Sequence, residues 1–450
     1  MSRPRDPAPP ADGDGPRAGA PVRAAGILDA GCASLATFSV GLYATHYFAP
    51  ELLGAYALFF TAFVLATTVP TQLLFMPAEL RGLAAAGRAR LRLLEQSLVL
   101  GLLPALLPAV ACELVALAGT RDVTRGEVLP LTVTSILAAT ASPLQDHLRR
   151  LLHMAGVSWR AAIVSVTQLV VALLALAVLH LAGAAPGWIP FGALLVANLA
   201  SGSFALAMTR ERRRHAVVVR LDLRDLLRTG RWLLSGGLTP QGAVFVSGLL
   251  ITQLAGAAAM GFVEAARQVS APLQVLATGL SATAAPQLMD AGRARDARAG
   301  SRVTRHYALV MLALGLPYLA LAGADWPLNP LGAIIPAAYQ VGGLAALSVV
   351  GALAFALTAP PRYELLGAGW ERRLMVLESS ASGCQAVVSL SAVAAGPYAG
   401  PLGVLAQSLA RWLLLQPARA HMYARRRPPR GGGPVSLGSR AGRPPAAGPR

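Results

Sequence analysis

The chain has 450 residues and a mass of 46.4 kDa, with 55% hydrophobic residues, 13% charged residues and a mean hydropathy of +0.54; soluble domains carry about 25% charged residues. Apolar runs of roughly 20 residues recur along it, which excludes a water-soluble fold and defines an all-α, polytopic membrane protein. The formal net charge is +18 and all 39 basic residues are arginine, but they lie in short clusters between apolar runs, a pattern of membrane topology rather than of nucleic-acid binding.

In chain order, apolar helices are expected at 24–48, 52–78, 93–118, 127–148, 160–182, 188–209, 233–254, 258–286, 306–323, 332–358, 374–395 and 398–416, each long enough to cross roughly 30 Å of hydrocarbon. The segment 1–23, rich in Pro, Gly and Ala, is expected to be a disordered tail without an apolar signal region. Arginines alternate from connection to connection: Arg81, Arg88, Arg90 and Arg92 in the second, Arg149, Arg150 and Arg160 in the fourth, and eight from Arg210 to Arg231 in the sixth. Arg293 to Arg305 follow, then Arg362, Arg372 and Arg373, then the residues from Arg411 to the end, with only Arg121 and Arg125 on the opposite side. The positive-inside bias therefore places both termini in the cytoplasm and the protein in a cell membrane as a multi-pass chain of about twelve transmembrane helices. The segment 417–450 reads as a basic, low-complexity tail.

The charged connection 210–232 divides the chain into two six-helix lobes, 24–209 and 233–416, expected to enclose a central cavity. At an offset of 207 residues, Gly41-Leu42 falls on Gly248-Leu249, Gly54 on Gly261 and Leu73 on Leu280. Six helices per half give both halves the same orientation, a parallel repeat about an axis along the membrane normal.

Glu264, Arg267 and Gln268 stand at i, i+3 and i+4 on the eighth expected helix and share one face. Arg267 lies about 14 Å into that helix, where facing lipid would cost at least about 2.5 kcal/mol, so it must face a cavity or a partner. Gln241, Gln253, Gln274 and Gln72 offer neutral hydrogen-bonding groups for a polar cargo or for helix–helix links. Arg149 and Arg150, at the inner end of the fourth helix, suit bidentate contact with phosphate as well as the topology rule. Asp29, a turn into the first helix, and Asp146, beside Arg149 at the inner end of the fourth, are candidates for the coupling ion; Asp29 can equally pair with Arg23. Glu113, His180 and Glu378 read as interfacial. Cys32, Cys112 and Cys384 lack metal or disulfide spacing. No GxxxxGK[ST] loop or HExxH motif occurs, so neither ATP hydrolysis nor metal catalysis is expected, and no cofactor.

The segments GILDAGCASLATFSVGLYATHYFAPELLGAYALFFTAFVLATTVPTQLLFMPAEL and WLLSGGLTPQGAVFVSGLLITQLAGAAAMGFVEAARQVSAPLQVLATGLSATAAPQL each join two apolar helices through a short turn ending in Gly54-Ala55-Tyr56 or Gly261-Phe262. With PLQDHLRRLLHMAG at the end of the fourth helix, this pattern resembles Wzx-type polysaccharide flippases, within the superfamily that also holds the MATE multidrug exporters. The resemblance implies a MATE-like two-lobed fold. It also implies transfer of an undecaprenyl-pyrophosphate-linked oligosaccharide from the cytoplasmic to the outer leaflet, a non-enzymatic activity served by membrane lipids and by partner polymerases and glycosyltransferases. Two alternatives are a MATE-like exporter of small molecules and an integral-membrane glycan polymerase or ligase. The second of these usually needs a sizeable outer loop, and every outer connection here is short.

Overall fold

A computed structural model describes residues 20–84, 87–120, 123–213, 222–324, 329, 331 and 334–424, all helix and connecting turns, with no strand among the described residues. The first half contains α1 (Ala20–Tyr47), α2 (Pro50–Pro70), a π-helical turn (Thr71–Phe75), α3 (Met76–Ala84), α4 (Gly87–Gly119), α5 (Arg125–Met154), α6 (Ser158–Leu181) and α7 (Ile189–Arg213). The second half contains α8 (Leu223–Ala255), α9 (Ala257–Ala294), α10 (Ala297–Gly323), α11 (Leu344–Leu357), α12 (Ala359–Gly367), α13 (Glu371–Ser389), the short α14 (Ala392–Ala395) and α15 (Ala399–Ala424). The segment expected to span from 332 holds a 3-10 turn at Ala337–Tyr339 and becomes α-helical only at Leu344, whereas the last helix runs on to Ala424, past the expected start of the C-terminal tail. The expected N-terminal tail up to residue 19, and the C-terminal one from 425, lie outside the described residues.

Local chemistry sets the breaks. Pro50 opens α2, where a missing N–H costs nothing. A single residue, Gly256, separates α8 from α9 at φ 89°, a conformation that favours glycine. Asp222 and Asp296 cap α8 and α10 by accepting from the backbone N–H of Arg224 and of Arg298 and Ala299. The π-helical turn after Pro70 interrupts the second crossing and lays Gln72 against Gly237 of α8.

Among the described residues nine helices are individually long and apolar enough to cross a membrane, and a tenth crossing is reached when α13 and the segment Ala392–Ala424 are taken jointly. Side-chain contacts show α13 and α15 lying antiparallel, with Ser382 bonded to Gln407 and Gly403 against Gln385. The helix expected at 258–286 is present as α9, but it is less apolar than the others: it carries Glu264, Arg267 and Gln268 and, beyond them, Gln274 and several Gly, Ser, Thr and Pro residues. Connections then alternate between an arginine-rich end, with Arg81 and Asp225 joined across the halves, and an opposite end at Pro50, Gly119 and Gly256.

Equivalent helices pack equivalently in the two lobes. α6 lies on α1 and α7, as α13 lies on α8 and α15; α5 lies on α7 as α11 and α12 lie on α15. The lobes meet chiefly through α2 against α9, flanked by α2 against α8 and α1 against α9. At the centre of that seam a Cβ placed on Gly54 would stand 1.8 Å from the Ala257 carbonyl oxygen, and one placed on Gly261 would stand 2.1 Å from that of Pro50. An offset of 207 converts the first contact into the second. The same offset converts Gly41 seated on Gln268 into Gly248 near Thr61. The repeat expected from sequence is therefore realised as a two-fold relation whose axis passes between Gly54 and Gly261, and such a contact is isologous.

Backbone contact of this kind leaves no room for a methyl group. Gly54→Val is expected to cost about 1–3 kcal/mol, read as a fall in the thermal midpoint of the purified protein. Gly31→Ala, at a position with nothing within 4 Å of the added Cβ, leaves it essentially unchanged.

Candidate functional site

On the face of α9 that meets α2, the spacing of Glu264, Arg267 and Gln268 brings their side chains together. The Arg267 guanidinium donates through Nε to Glu264 Oε2 at 2.7 Å and through Nη2 to Oε1 at 2.6 Å, and Gln268 Nε2 donates to the same Oε1 at 2.7 Å. Glu264 is buried, with 1% of its side chain exposed, whereas Arg267 keeps 34%. A buried carboxylate thus holds a guanidinium whose Nη1 makes no hydrogen bond to a described residue. The other side of the guanidinium lies over the Phe60 ring at 5.1 Å.

Position 60 is 207 residues before 267, so Arg267 rests on its own counterpart in the other lobe. By the same offset Ala57 answers to Glu264 and Thr61 to Gln268. The repeat has diverged at the axis: an apolar helix face in one lobe meets a charged one in the other. Tyr56, fully buried beside this group, packs against Phe48, Phe60 and Phe191, and its Oη has no partner.

The glutamines do not converge on this pair. Gln253 donates to the Gly119 carbonyl at 2.7 Å and ties α8 to α4 at the opposite end. Gln72 sits in the π-helical turn against α8, Gln241 is half-buried on α8 and Gln274 is exposed further along α9. Among the described residues no hydrogen bond joins any of the four to Glu264 or Arg267.

In the first lobe, Arg149 of α5 meets Asp146 of its own helix and Asp29 of α1. Arg149 Nη2 donates to Asp146 at 3.0 Å, its Nη1 donates to Ser165 at 3.1 Å, and its guanidinium lies 3.5 Å from Asp29. His153 Nε2 stands 2.8 Å from the other Asp29 oxygen, and Ser165 also donates to Asp29. Asp29 therefore pairs with Arg149 and His153, 120 and more residues away, and the side chain of Arg23 lies outside the described residues. With two carboxylates on it, Arg149 is already neutralised. Arg150 bonds Glu79 at 3.3 Å, and Glu79 also meets His147 at 2.9 Å. These groups fasten α1, α3, α5 and α6 together at the arginine-rich end.

Two residues expected at an interface lie inside the protein. Glu113 is fully buried, with one oxygen taking the Ser135 hydroxyl and the other without a partner. Glu378 is buried against Arg411 of α15, which the sequence pattern had grouped with the tail. His180 is exposed and bonded to Tyr43 at 3.0 Å. Among the described residues no group of His, Cys, Asp and Glu could hold a metal ion, and all three cysteines are free.

With this geometry in place, comparison with known proteins places the fold. An inward-facing structure of a multidrug resistance MATE family transporter of the MOP superfamily superposes with a TM-score of 0.70 at 15% identity, covering 87% of this chain and 95% of that one. An outward-facing structure of such a transporter gives 0.61 at 16% identity over 90% and 95%. A MOP superfamily transporter from Pyrococcus furiosus, described as having reverse polarity of its binding pocket, gives 0.60 at 15% identity over 90% and 95%. No family model and no curated protein matches the sequence. The chain has the two-lobed fold of the MATE transporters.

The central pair is expected to show strong coupling. Arg267→Leu leaves Glu264 buried with Gln268 alone and should cost about 3–5 kcal/mol, whereas Glu264→Leu with Arg267→Leu should recover most of that loss. Unfolding midpoints of the two single variants and the double variant supply the cycle.

Proposed function

We propose that this protein is a membrane transporter that moves an undecaprenyl-pyrophosphate-linked oligosaccharide, or a related polysaccharide precursor, from the cytoplasmic to the outer leaflet. The observation that carries the reading is Arg267: a guanidinium deep within the helices, fixed by a buried carboxylate, with Nη1 uncommitted. Such a group can donate to a phosphate or sugar oxygen without first being oriented, because Glu264 already fixes its geometry. Gln72 and Gln241 lie on the neighbouring π-helical turn and α8, within the same lobe seam, where sugar hydroxyls would find neutral partners.

Access to the pair fits the same reading. At the opposite end the lobes are tied by Gly54 on Ala257, Gln253 on Gly119 and Tyr339 on Phe48. Toward the arginine-rich end, Ile27 and Leu35 of α1 and Gln274 and Val275 of α9 are exposed. A lipid-linked cargo would meet the seam between α1 and α9 from that end, its tail against the apolar flanks and its headgroup toward Arg267. The short contacts of Arg149 and Arg150 make them fasteners of the first lobe, and Asp29, with Asp146 beside it, remains the carboxylate proposed to sense a coupling ion through His153 and Arg149.

A second reading is a MATE-like exporter of small molecules. It is favoured by Glu264, a buried carboxylate that a cationic cargo could take over from Arg267. Sidedness separates the two. In cells depleted of the protein, lipid-linked oligosaccharide should become shielded from an impermeant reagent confined to the outer face, and Arg267→Ala at normal abundance should reproduce the defect. Unchanged sidedness, together with raised drug accumulation, would assign the exporter function instead.

A further inference from the structure

At the arginine-rich end, the starts of α8 and α10 carry the same pattern. Asp222 caps α8 and is followed by Arg224, Arg228 and Arg231; Asp296 caps α10 and is followed at the same intervals by Arg298, Arg302 and Arg305. In each helix the arginines fall at i, i+4 and i+7 and share one exposed face. The positive-inside bias accounts for arginine at this end in both places. Their surroundings differ: α10 packs on α9, α11 and α12 of its own half, whereas α8 reaches across to the π-helical turn and α3 of the first half.

That crossing shapes two adjoining cavities. Gly230 is seated on the backbone of Leu73, where an added Cβ would stand 2.0 Å from the carbonyl oxygen, and Asp225 is paired with Arg81 of α3. To one side of Asp225 and Arg228 lies a cavity of about 600 Å³, lined also by Arg224, Leu227, Arg231 and Asp222. To the other side, one of about 440 Å³ is walled by Leu80 of α3 and by Thr229 and Leu233. Counting Arg81, four arginines stand against two carboxylates, and among the described residues the guanidinium groups of Arg224 and Arg228 pair with neither. The apolar crossing of α8 begins at Leu233, so Arg228 stands about 7.5 Å outside the hydrocarbon, within the headgroup layer.

We propose that these cavities bind one anionic phospholipid of the adjacent leaflet, its phosphodiester on Arg224 and Arg228 and one acyl chain against Leu80 and Leu233. The guanidinium fork matches phosphate oxygens, and the surplus of arginine over carboxylate supplies the complementary charge. Depth selects a lipid over a soluble phosphate, because the charged cavity lies level with the headgroups and the apolar wall at Leu233 stands where the hydrocarbon begins. Leu80 comes from one half of the chain and the arginines from the other, so the lipid touches both, and its binding does not depend on what the transporter carries.

The test is the thermal midpoint of the full-length protein in phosphatidylcholine nanodiscs as the fraction of phosphatidylglycerol is raised stepwise at constant ionic strength. The midpoint is expected to rise by a few degrees and to saturate. Arg224→Gln combined with Arg228→Gln should remove most of that rise. Arg298→Gln combined with Arg302→Gln deletes the same charge at the same spacing on α10 and should keep it. A midpoint that ignores phosphatidylglycerol, an equal loss of the rise in both double variants, or the same rise on adding inorganic phosphate to phosphatidylcholine nanodiscs overturns the proposal.

Discussion

A guanidinium drawn into an apolar slab must have a counter-charge, and that requirement organises this protein. Four arginines found inside the helices have a carboxylate fixed against them: Arg267 has Glu264, Arg149 has Asp29 and Asp146, Arg411 has Glu378 and Arg419 has Glu364. Three of these four join different helices and so act as tertiary fasteners. The Glu264–Arg267 pair is internal to α9. Its hydrogen bonds stay within that helix, and it reaches the other lobe through the Phe60 ring beneath Arg267.

Symmetry sharpens the contrast. The backbone seam at Gly54 and Gly261 is reciprocal to within a few tenths of an ångström, so the duplicated architecture has been kept where two helices touch. One turn further along, it has been abandoned: Ala57, Phe60 and Thr61 in one lobe answer to Glu264, Arg267 and Gln268 in the other. A symmetric axis bearing two arginines would have placed like charges face to face, and one bearing two phenylalanines would offer a cargo nothing polar. Phe60 instead supplies the surface on which its counterpart's guanidinium lies flat.

Much of this was legible in the sequence where the information is local. The i, i+3, i+4 spacing within α9 and the 207-residue offset both follow from helix periodicity, and the structure realises each. Long-range partners were not legible. Asp29 looked equally able to pair with Arg23, because nothing in the chain says that Arg149 and His153, on α5, return to the same place. Glu113 and Glu378 were read as interfacial from their distance to helix ends, but burial depends on which neighbours cover them. Arg411 was taken with the tail, although Leu409, Trp412 and Leu413 flank it and the helix continues for another three turns and more to Ala424. The glutamines were grouped by composition, and the fold sends Gln253 to the far end of the seam.

The position of the glycine contact has a mechanical consequence. Gly261 lies four residues from the start of α9 and 33 from its end, or about 6 Å and about 50 Å along the axis at 1.5 Å per residue. If the lobes pivot there, the contact is a fulcrum placed far off-centre, with a lever ratio of about eight: a sub-ångström slip at the short arm becomes several ångströms at the long one. Pro272 and Pro286 lie in the long arm, where they lend compliance to a beam that would otherwise transmit the whole stroke.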